Sequence, residues 1–249
     1  MHVKGRTHLS FIALSVAAIA TLVLGLMGVS NSGAGTVYST VIGGFDRFVL
    51  DDGSIAELTT SSEIRVHFVE SRRDVQLVRG EAHFKVAHDS ARPFVVTAGR
   101  TAVEALGTEF DVRMYENNRV SVLVTEGRVA VTGSAAESRE VIAGELATSK
   151  TGRIKVNPAD ADEIARRLAW RTGWLWFSAQ PIREVVSEFN RYSERRLVIV
   201  DPVLADKRIS GRIRLTGVDQ FLTALEGYGV RATAAGPRDN VVRLHGEPR

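Results

Sequence analysis

The chain predicts a mainly β protein with an α+β ending: an N-terminal transmembrane helix, an all-β domain of stacked antiparallel strands, solenoid- or sandwich-like, and a small split βαβ α+β domain. Three observations carry this. An uncharged apolar stretch runs from Leu9 to Val29. Apolar and polar residues alternate at period two, segment after segment, from Arg79 to Val131. Beyond Ala161 the apolar spacing changes to that of a helix.

The stretch LSFIALSVAAIATLVLGLMGV, Leu9 to Val29, has no charged side chain. As a helix rising 1.5 Å per residue it is about 31 Å long, enough for a hydrocarbon core of about 30 Å. Lys4 and Arg6 precede it, and the first charge after it is Asp46. The positive-inside rule therefore puts residues 1–8 in the cytoplasm and the bulk of the chain outside, held by a single pass; in a bacterium this is the inner membrane, with the bulk in the periplasm. A cleaved leader is the competing reading, with Ser32-Gly33-Ala34 as a small-x-small site, although leader cores are shorter, about 7 to 15 residues. Residues 30–36 read as a small polar linker.

The all-β domain spans 37–155. Phe110, Val112 and Met114 share one parity, as do Val120, Val122 and Val124, and then Val129 and Val131. Successive strand side chains point to opposite faces, so each segment is expected to have one buried and one wet face. Asp52-Gly53 predicts a hairpin between Phe45–Leu50 and Ile55–Leu58, and Asn117-Asn118 and Gly127 mark further turns. Gly107 is expected where one strand crowds the next.

The α+β domain spans 168–245. Ile182, Val185, Val186 and Phe189 form a helical stripe with Pro181 at the first helical position. Val218, Phe221, Leu222 and Leu225 form a second, with Thr216 and Asp219 in capping-box relation and Gly227 near its end. With strands at 175–177, 197–200, 208–215, 230–234 and 241–244, the order is β-α-β-β-α-β-β, each helix burying its stripe on one sheet.

The composition narrows the chemistry. Cysteine is absent, which excludes disulfides, thiolate metal sites and thiol nucleophiles. There is no G-x-S-x-G, no P-loop and no G-x-G-x-x-G after a strand. His83 and His88 are the one close histidine pair outside the N-terminus, and a metal needs three or four converging ligands. Glu104 and Glu109 are expected to solvate the sheet. No catalytic residue, metal or cofactor is expected, and the chain does not read as an enzyme.

The charge is divided. Residues 30–163 carry 15 Lys and Arg against 20 Asp and Glu, a formal −5, whereas 164–249 carry 15 against 9, a formal +6. Arg195-Arg196, Lys207-Arg208 and Arg212 with Arg214 form either a basic patch for an acidic protein surface or a solvated face. Nucleic acid is a poor partner for a domain outside the membrane. All three tryptophans, Trp170, Trp174 and Trp176, fall in LAWRTGWLWFSAQP. Trp174 and Trp176 share one strand face, which reads as core at the domain entrance or as an interface.

Taken in order, Leu50, Asp52-Gly53-Ser54, Leu58, Ser61-Ser62, Gly80-Glu81-Ala82, Phe84, Val86, Arg92-Pro93-Phe94, Ala105-Leu106-Gly107-Thr108, Phe110 and Val112 resemble the FecR family, and the match runs on through Val122, Val124, Glu126-Gly127, Val129 and Val131. Further on, Trp170, Gly173, Leu175, Phe177, Pro181-Ile182, Glu184-Val185, Asn190-Arg191-Tyr192 and Ile209-Ser210-Gly211 resemble that family's second domain, itself similar to the signalling domain of secretins and TonB-dependent receptors.

The resemblance implies a regulator of an extracytoplasmic-function sigma factor, commonly in iron or glycan uptake. Its second domain would bind the signalling domain of a loaded TonB-dependent outer-membrane receptor. Arg191, Tyr192, Arg195, Arg196, Arg208, Arg212 and Arg214 are the candidate partner-binding residues. The alternative is a periplasmic scaffold docking on an envelope assembly such as a secretin. Family members usually carry a cytoplasmic helical domain before the anchor, where this chain has Met1 to His8. Either upstream sequence is missing, a separate protein handles the sigma factor, or the chain is a relic. Leu50-Asp51-Asp52 stands where Leu-Pro-Asp is more usual.

Overall fold

Alternating strands have one apolar face each, and this chain buries those faces by sending successive hairpins to opposite sides of one core. The computed structural model describes residues 35–134, 137–234 and 241–246. The tail 1–8, the apolar segment 9–29 and the linker to residue 34 lie outside the described residues, among which no helix is long and apolar enough to cross a membrane.

The first strands are β1 (Thr36–Ser39), β2 (Asp46–Val49), β3 (Ile55–Leu58), β4 (Glu63–Phe68), β5 (Arg73–Arg79), β6 (Glu81–Lys85) and β7 (Phe94–Ala98). They continue as β8 (Thr101–Ala105), β9 (Glu109–Met114), β10 (Val120–Glu126), β11 (Arg128–Thr132), β12 (Ser138–Ile142), β13 (Glu145–Lys150) and β14 (Arg153–Pro158). One seven-stranded sheet has the order β1-β4-β5-β7-β8-β11-β12 and the other β14-β13-β10-β9-β6-β3-β2. The chain changes sheet after almost every hairpin, so the two sheets face each other as a sandwich. Because β6 leaves for the second sheet, β5 and β7 become neighbours and pair in parallel, with Val75 opposite Val96. That pair is the departure from an all-antiparallel domain.

Between the sheets, Phe84 lies 5.8 Å from Phe94 and 5.6 Å from Phe110, ring centre to ring centre, and Leu58, Ile64, Leu77 and Val122 fill the same buried core. Burying one such side chain stabilises by roughly 1.5–3 kcal/mol, so this core dominates the sandwich. One charge enters it. Arg73 is 0% exposed, and its Nη1 donates to Asp52 Oδ2 at 2.7 Å and to the Ala87 carbonyl at 2.9 Å, while Nε donates to the Arg92 carbonyl at 2.9 Å. It ties the Asp52 turn to the β6–β7 connection.

The turns match the sequence. β2 and β3 pair across Asp52-Gly53, and Asn118 takes a positive φ at the β9–β10 turn. At Gly107 an added Cβ would lie 2.5 Å from His88 Nδ1, which is the crowding expected there.

The wet-face expectation holds for β4 and β11, whose buried residues alternate with more open ones, and fails for β6 and β10, where five successive residues from Val120 to Val124 are buried. The chain beyond β14 supplies part of the cover. Helix α1 (Ala161–Arg167) starts at Asp160, whose side chain accepts from the Glu163 amide, and a 3-10 turn covers Ala169–Thr172. Ile164 and Leu168 pack on Leu123 and Leu146, outward-facing residues of the second sheet.

The second domain contains β15 (Trp174–Pro181), α2 (Ile182–Tyr192), β16 (Arg196–Ile199), α3 (Pro202–Ala205), β17 (Arg208–Arg214), α4 (Val218–Glu226), β18 (Val230–Ala234) and β19 (Val241–Gly246). Its order is the expected one with a short helix, α3, added. It has two small sheets instead of one: β15 pairs with β17, and β16-β19-β18 form the other, with β16 and β19 parallel. Ile182, Val185, Val186 and Phe189 meet Phe221 and Leu225 in a separate core, where Phe189 stacks on Phe221 at 4.0 Å.

Two capping expectations are corrected. Pro181 is the cap residue of α2 and still pairs in β15 with Arg208, because its φ of −57° suits an extended residue as well as a helix start. α4 begins after Gly217 with no side-chain cap, so Thr216 and Asp219 do not form a capping box; Asp219 instead accepts from Arg195. Residues from Thr36 onward form one compact unit containing both domains.

Candidate protein-interaction site

Alternation in β3, β6 and β9 sends Leu58, Ala82, Phe84, Phe110 and Val112 inward. The opposite parity of the second sheet is charged. Glu57, His83 and Asp111 stand side by side across three strands, and Glu81 stands beside Arg113. Such a row normally faces water, yet Glu81, His83 and Asp111 are buried. The second domain closes over them with arginines.

Two ionic clusters make the seam. In the first, Arg113 grips Glu188 of α2 with both ends of its fork, at 2.6 and 3.3 Å, and Arg191 of α2 bridges Glu188 at 2.6 Å and Glu81 at 3.0 Å. Arg113 Nε lies 3.7 Å from Glu81, closing a ring in which each domain supplies one arginine and one glutamate. In the second, Arg171 donates to Glu57 at 2.5 Å and lies 3.4 Å from Glu109, which also accepts from His83 Nε2 at 2.9 Å. Paired and hydrogen-bonded charges of this kind tolerate burial that a lone charge does not. At the helix end, Thr60 Oγ1 donates to the Arg191 carbonyl at 2.7 Å, and the Thr59 and Tyr192 hydroxyls meet at 3.2 Å.

These surroundings move the titrating groups. Burial alone would push the Glu188 carboxyl up, but Arg191 and Arg113 together outweigh it and hold it at about 2. Burial, with help from the Arg171 charge, lowers His83, so the ring is neutral at pH 7 and donates from Nε2 to Glu109. Burial first, and the neighbouring Glu81 charge second, raise the Asp111 carboxyl well above its ordinary range; its Oδ2 has no partner. Burial raises the Tyr192 hydroxyl too. Among the described residues no three metal-ligating side chains converge. The arrangement clamps two domains together.

This geometry sorts the sequence-predicted residues. Arg191 and Tyr192 face the sandwich and hold the seam, so their side chains are engaged within the chain. Arg195 pairs with Asp219 at 2.6 Å, and Arg208 donates to the Ala179 carbonyl at 2.6 Å. Arg196 is exposed. Arg212 and Arg214 are exposed and come together over Trp174, with guanidinium carbons 4.9 and 4.0 Å from its ring centre. The seven residues therefore do not form one patch. Glu109 is corrected as well: it is half-buried against His83 and Arg171, whereas Glu104 is exposed. Sequence reasoning missed Glu57, Glu81, Arg113, Arg171 and Glu188. The available signal was the opposite net charge of the two halves, which the seam brings into contact.

The tryptophans divide too. Trp170 is buried and 5.8 Å from Phe45, ring to ring, which is core packing. Trp174 and Trp176 are half-buried on the outer face of β15. Trp176 also lines a cleft of about 620 Å³ between the sandwich, α1, β15 and α2, with Arg113, Tyr115, Arg166 and Glu188 among its walls.

Comparison with known proteins places the sandwich. The family model described as FecR protein matches residues 36–130, the span in which strands switch between the two sheets. The chain carries a FecR domain. No curated protein matches this chain. Two crystal structures of a candidate anti-sigma factor from Parabacteroides distasonis ATCC 8503, at 1.65 and 2.50 Å resolution, are similar to it. The first is 26% identical with a TM-score of 0.72 over 86% of this chain and 100% of that one. The second is 26% identical with a TM-score of 0.71 over 86% and 99%. The similarity thus extends past the FecR domain into the second domain.

Proposed function

We propose that this chain is a FecR-type regulator of an extracytoplasmic-function sigma factor, working by protein binding. The observation that carries the reading is the likeness to an anti-sigma factor candidate over 86% of the chain, both domains included. In this reading Leu9 to Val29 holds the protein in the inner membrane and the described residues lie in the periplasm. The second domain meets the signalling domain of a loaded TonB-dependent outer-membrane receptor, and the FecR domain, clamped to it, relays the event toward the membrane.

The seam supports this division of labour. Tight coupling of the domains gives a binding event on one of them a mechanical route to the other, since both clusters join elements of both domains. Deleting the gene and measuring transcription from promoters of a neighbouring sigma factor tests the reading. A change of several-fold, up or down, on addition of the receptor's ligand is expected only when the chain is present. Transcription indifferent to the deletion would refute it and turn attention to an envelope scaffold. A reporter fused after Arg249 is expected to be active only outside the cytoplasm; cytoplasmic activity would overturn the topology.

A further inference from the structure

The outer face of the β15–β17 ribbon has chemistry that the seam does not use. Trp174 stands opposite Arg214, and Trp176 opposite Arg212. Both arginines are exposed and both guanidiniums lie over Trp174. Stacking on an aromatic ring fixes the guanidinium plane while leaving its N–H fork pointing outward, the arrangement that suits a carboxylate. Among the described residues no carboxylate pairs with Arg212 or Arg214.

Trp176 continues this face into the 620 Å³ cleft. There Glu163 is neutralised by Arg167, Glu188 by Arg113 and Arg191, and Glu81 by Arg191, while Glu184 on the α2 wall is exposed and has no cationic partner among the described residues. Arg166, on the cleft wall, has no carboxylate partner among the described residues. The ribbon and cleft together present two half-buried tryptophans with four arginines that pair with no carboxylate among the described residues, Arg119, Arg166, Arg212 and Arg214, against the single unpaired acid Glu184. The face is therefore net basic and made of the residue types that dominate binding energy at protein interfaces.

We propose that this face docks an acidic segment of a partner protein, its carboxylates taken by Arg212, Arg214 and Arg166 and its apolar side chains packed against Trp176. Charge complementarity selects the partner, and the concave shape favours a protruding peptide segment over a bilayer, whose flat surface does not reach Arg166 within the cleft. The proposal deepens the reading of the second domain as the partner-binding part by naming its surface and the partner's chemistry. It moves the contact away from Arg191 and Tyr192.

The test uses the full chain in nanodiscs of neutral lipid. Three probes are a labelled twelve-residue peptide bearing six glutamates and two leucines, its glutamine counterpart, and phosphatidylglycerol vesicles. R212Q/R214Q is compared with R231Q/R243Q, which removes the same charge from exposed positions on β18 and β19. The acidic peptide is expected to bind, at least tenfold more weakly to R212Q/R214Q and less than twofold more weakly to R231Q/R243Q, with the glutamine peptide silent. W176A, checked for retained fold by circular dichroism, is expected to weaken binding about fivefold. Equal losses in both double variants, no binding of the acidic peptide, or capture of vesicles alone would each overturn the proposal. A receptor signalling domain that fails to bind while the acidic peptide still does removes the receptor reading and leaves this surface standing.

Discussion

Strands β6 and β9 of the FecR domain bury both their faces, and the two faces are made of opposite materials. Phe84 and Phe110 point inward to an apolar core, while His83 and Asp111, one position away on the same strands, point outward under the second domain. Apolar burial involves no titrating group and gives the sandwich its stability. Ionic burial is conditional on partners, geometry and protonation. One strand therefore carries a permanent joint on one side and a breakable one on the other.

The largest expected effect attacks the permanent side. Phe84→Ala should destabilise the sandwich by about 3–5 kcal/mol, read as a lower urea midpoint for the whole compact unit. A loss below about 1 kcal/mol would show that the core is not what holds the domain. Arg73→Met should be of similar size, because it leaves Asp52 buried without its partner, and it would show that even the apolar side depends on one ion pair.

The breakable side should yield differently. Arg113→Met removes one corner of the ring and leaves Glu188 and Glu81 under-compensated, at a cost of about 2–4 kcal/mol. The loss should fall on docking: hydrogen exchange should quicken in α2 and on the outer sheet face while the inner core stays protected. Uniform acceleration in both domains would contradict a separable seam.

Acid should act in the same place. A Glu188 carboxyl held at about 2 against an ordinary 4.5 contributes stability that is complete above pH 4.5 and lost as pH falls toward 2, on the order of 3 kcal/mol. Asp111 has the opposite sign. Its raised carboxyl disfavours the folded state as pH climbs above 3.8, so Asp111→Asn should stabilise the chain near neutrality and flatten this rise in cost. A pH-stability curve for wild type, E188Q and D111N separates the two. The smallest effect is expected from Tyr192→Phe, about 1 kcal/mol for one neutral hydrogen bond to Thr59.

The strands and both helical stripes were legible because period two and period 3.6 leave their marks on any sequence. Hairpin turns at Gly53 and Asn118 were legible for the same local reason. The sheet switching was not, since nothing local distinguishes a hairpin that stays from one that crosses, and the parallel β5–β7 pair depends on where β6 goes. The seam was hidden by the strand pattern itself: Glu81, His83 and Asp111 read as solvent-facing, and alternation cannot tell water from a charged lid. The basic second half, whose arginines read either as a patch for an outside partner or as a solvated face, uses Arg171 and Arg191 to hold the acidic half of its own chain.

The most direct measurement is hydrogen exchange on the full chain in nanodiscs, with and without the signalling domain of a TonB-dependent outer-membrane receptor, the proposed partner class. Protection is expected on β15 and β17, around Trp174, Trp176, Arg212 and Arg214, together with altered exchange across the seam at α2 and β9. No protection on the ribbon, or protection confined to the far sheet of the sandwich, would contradict the account.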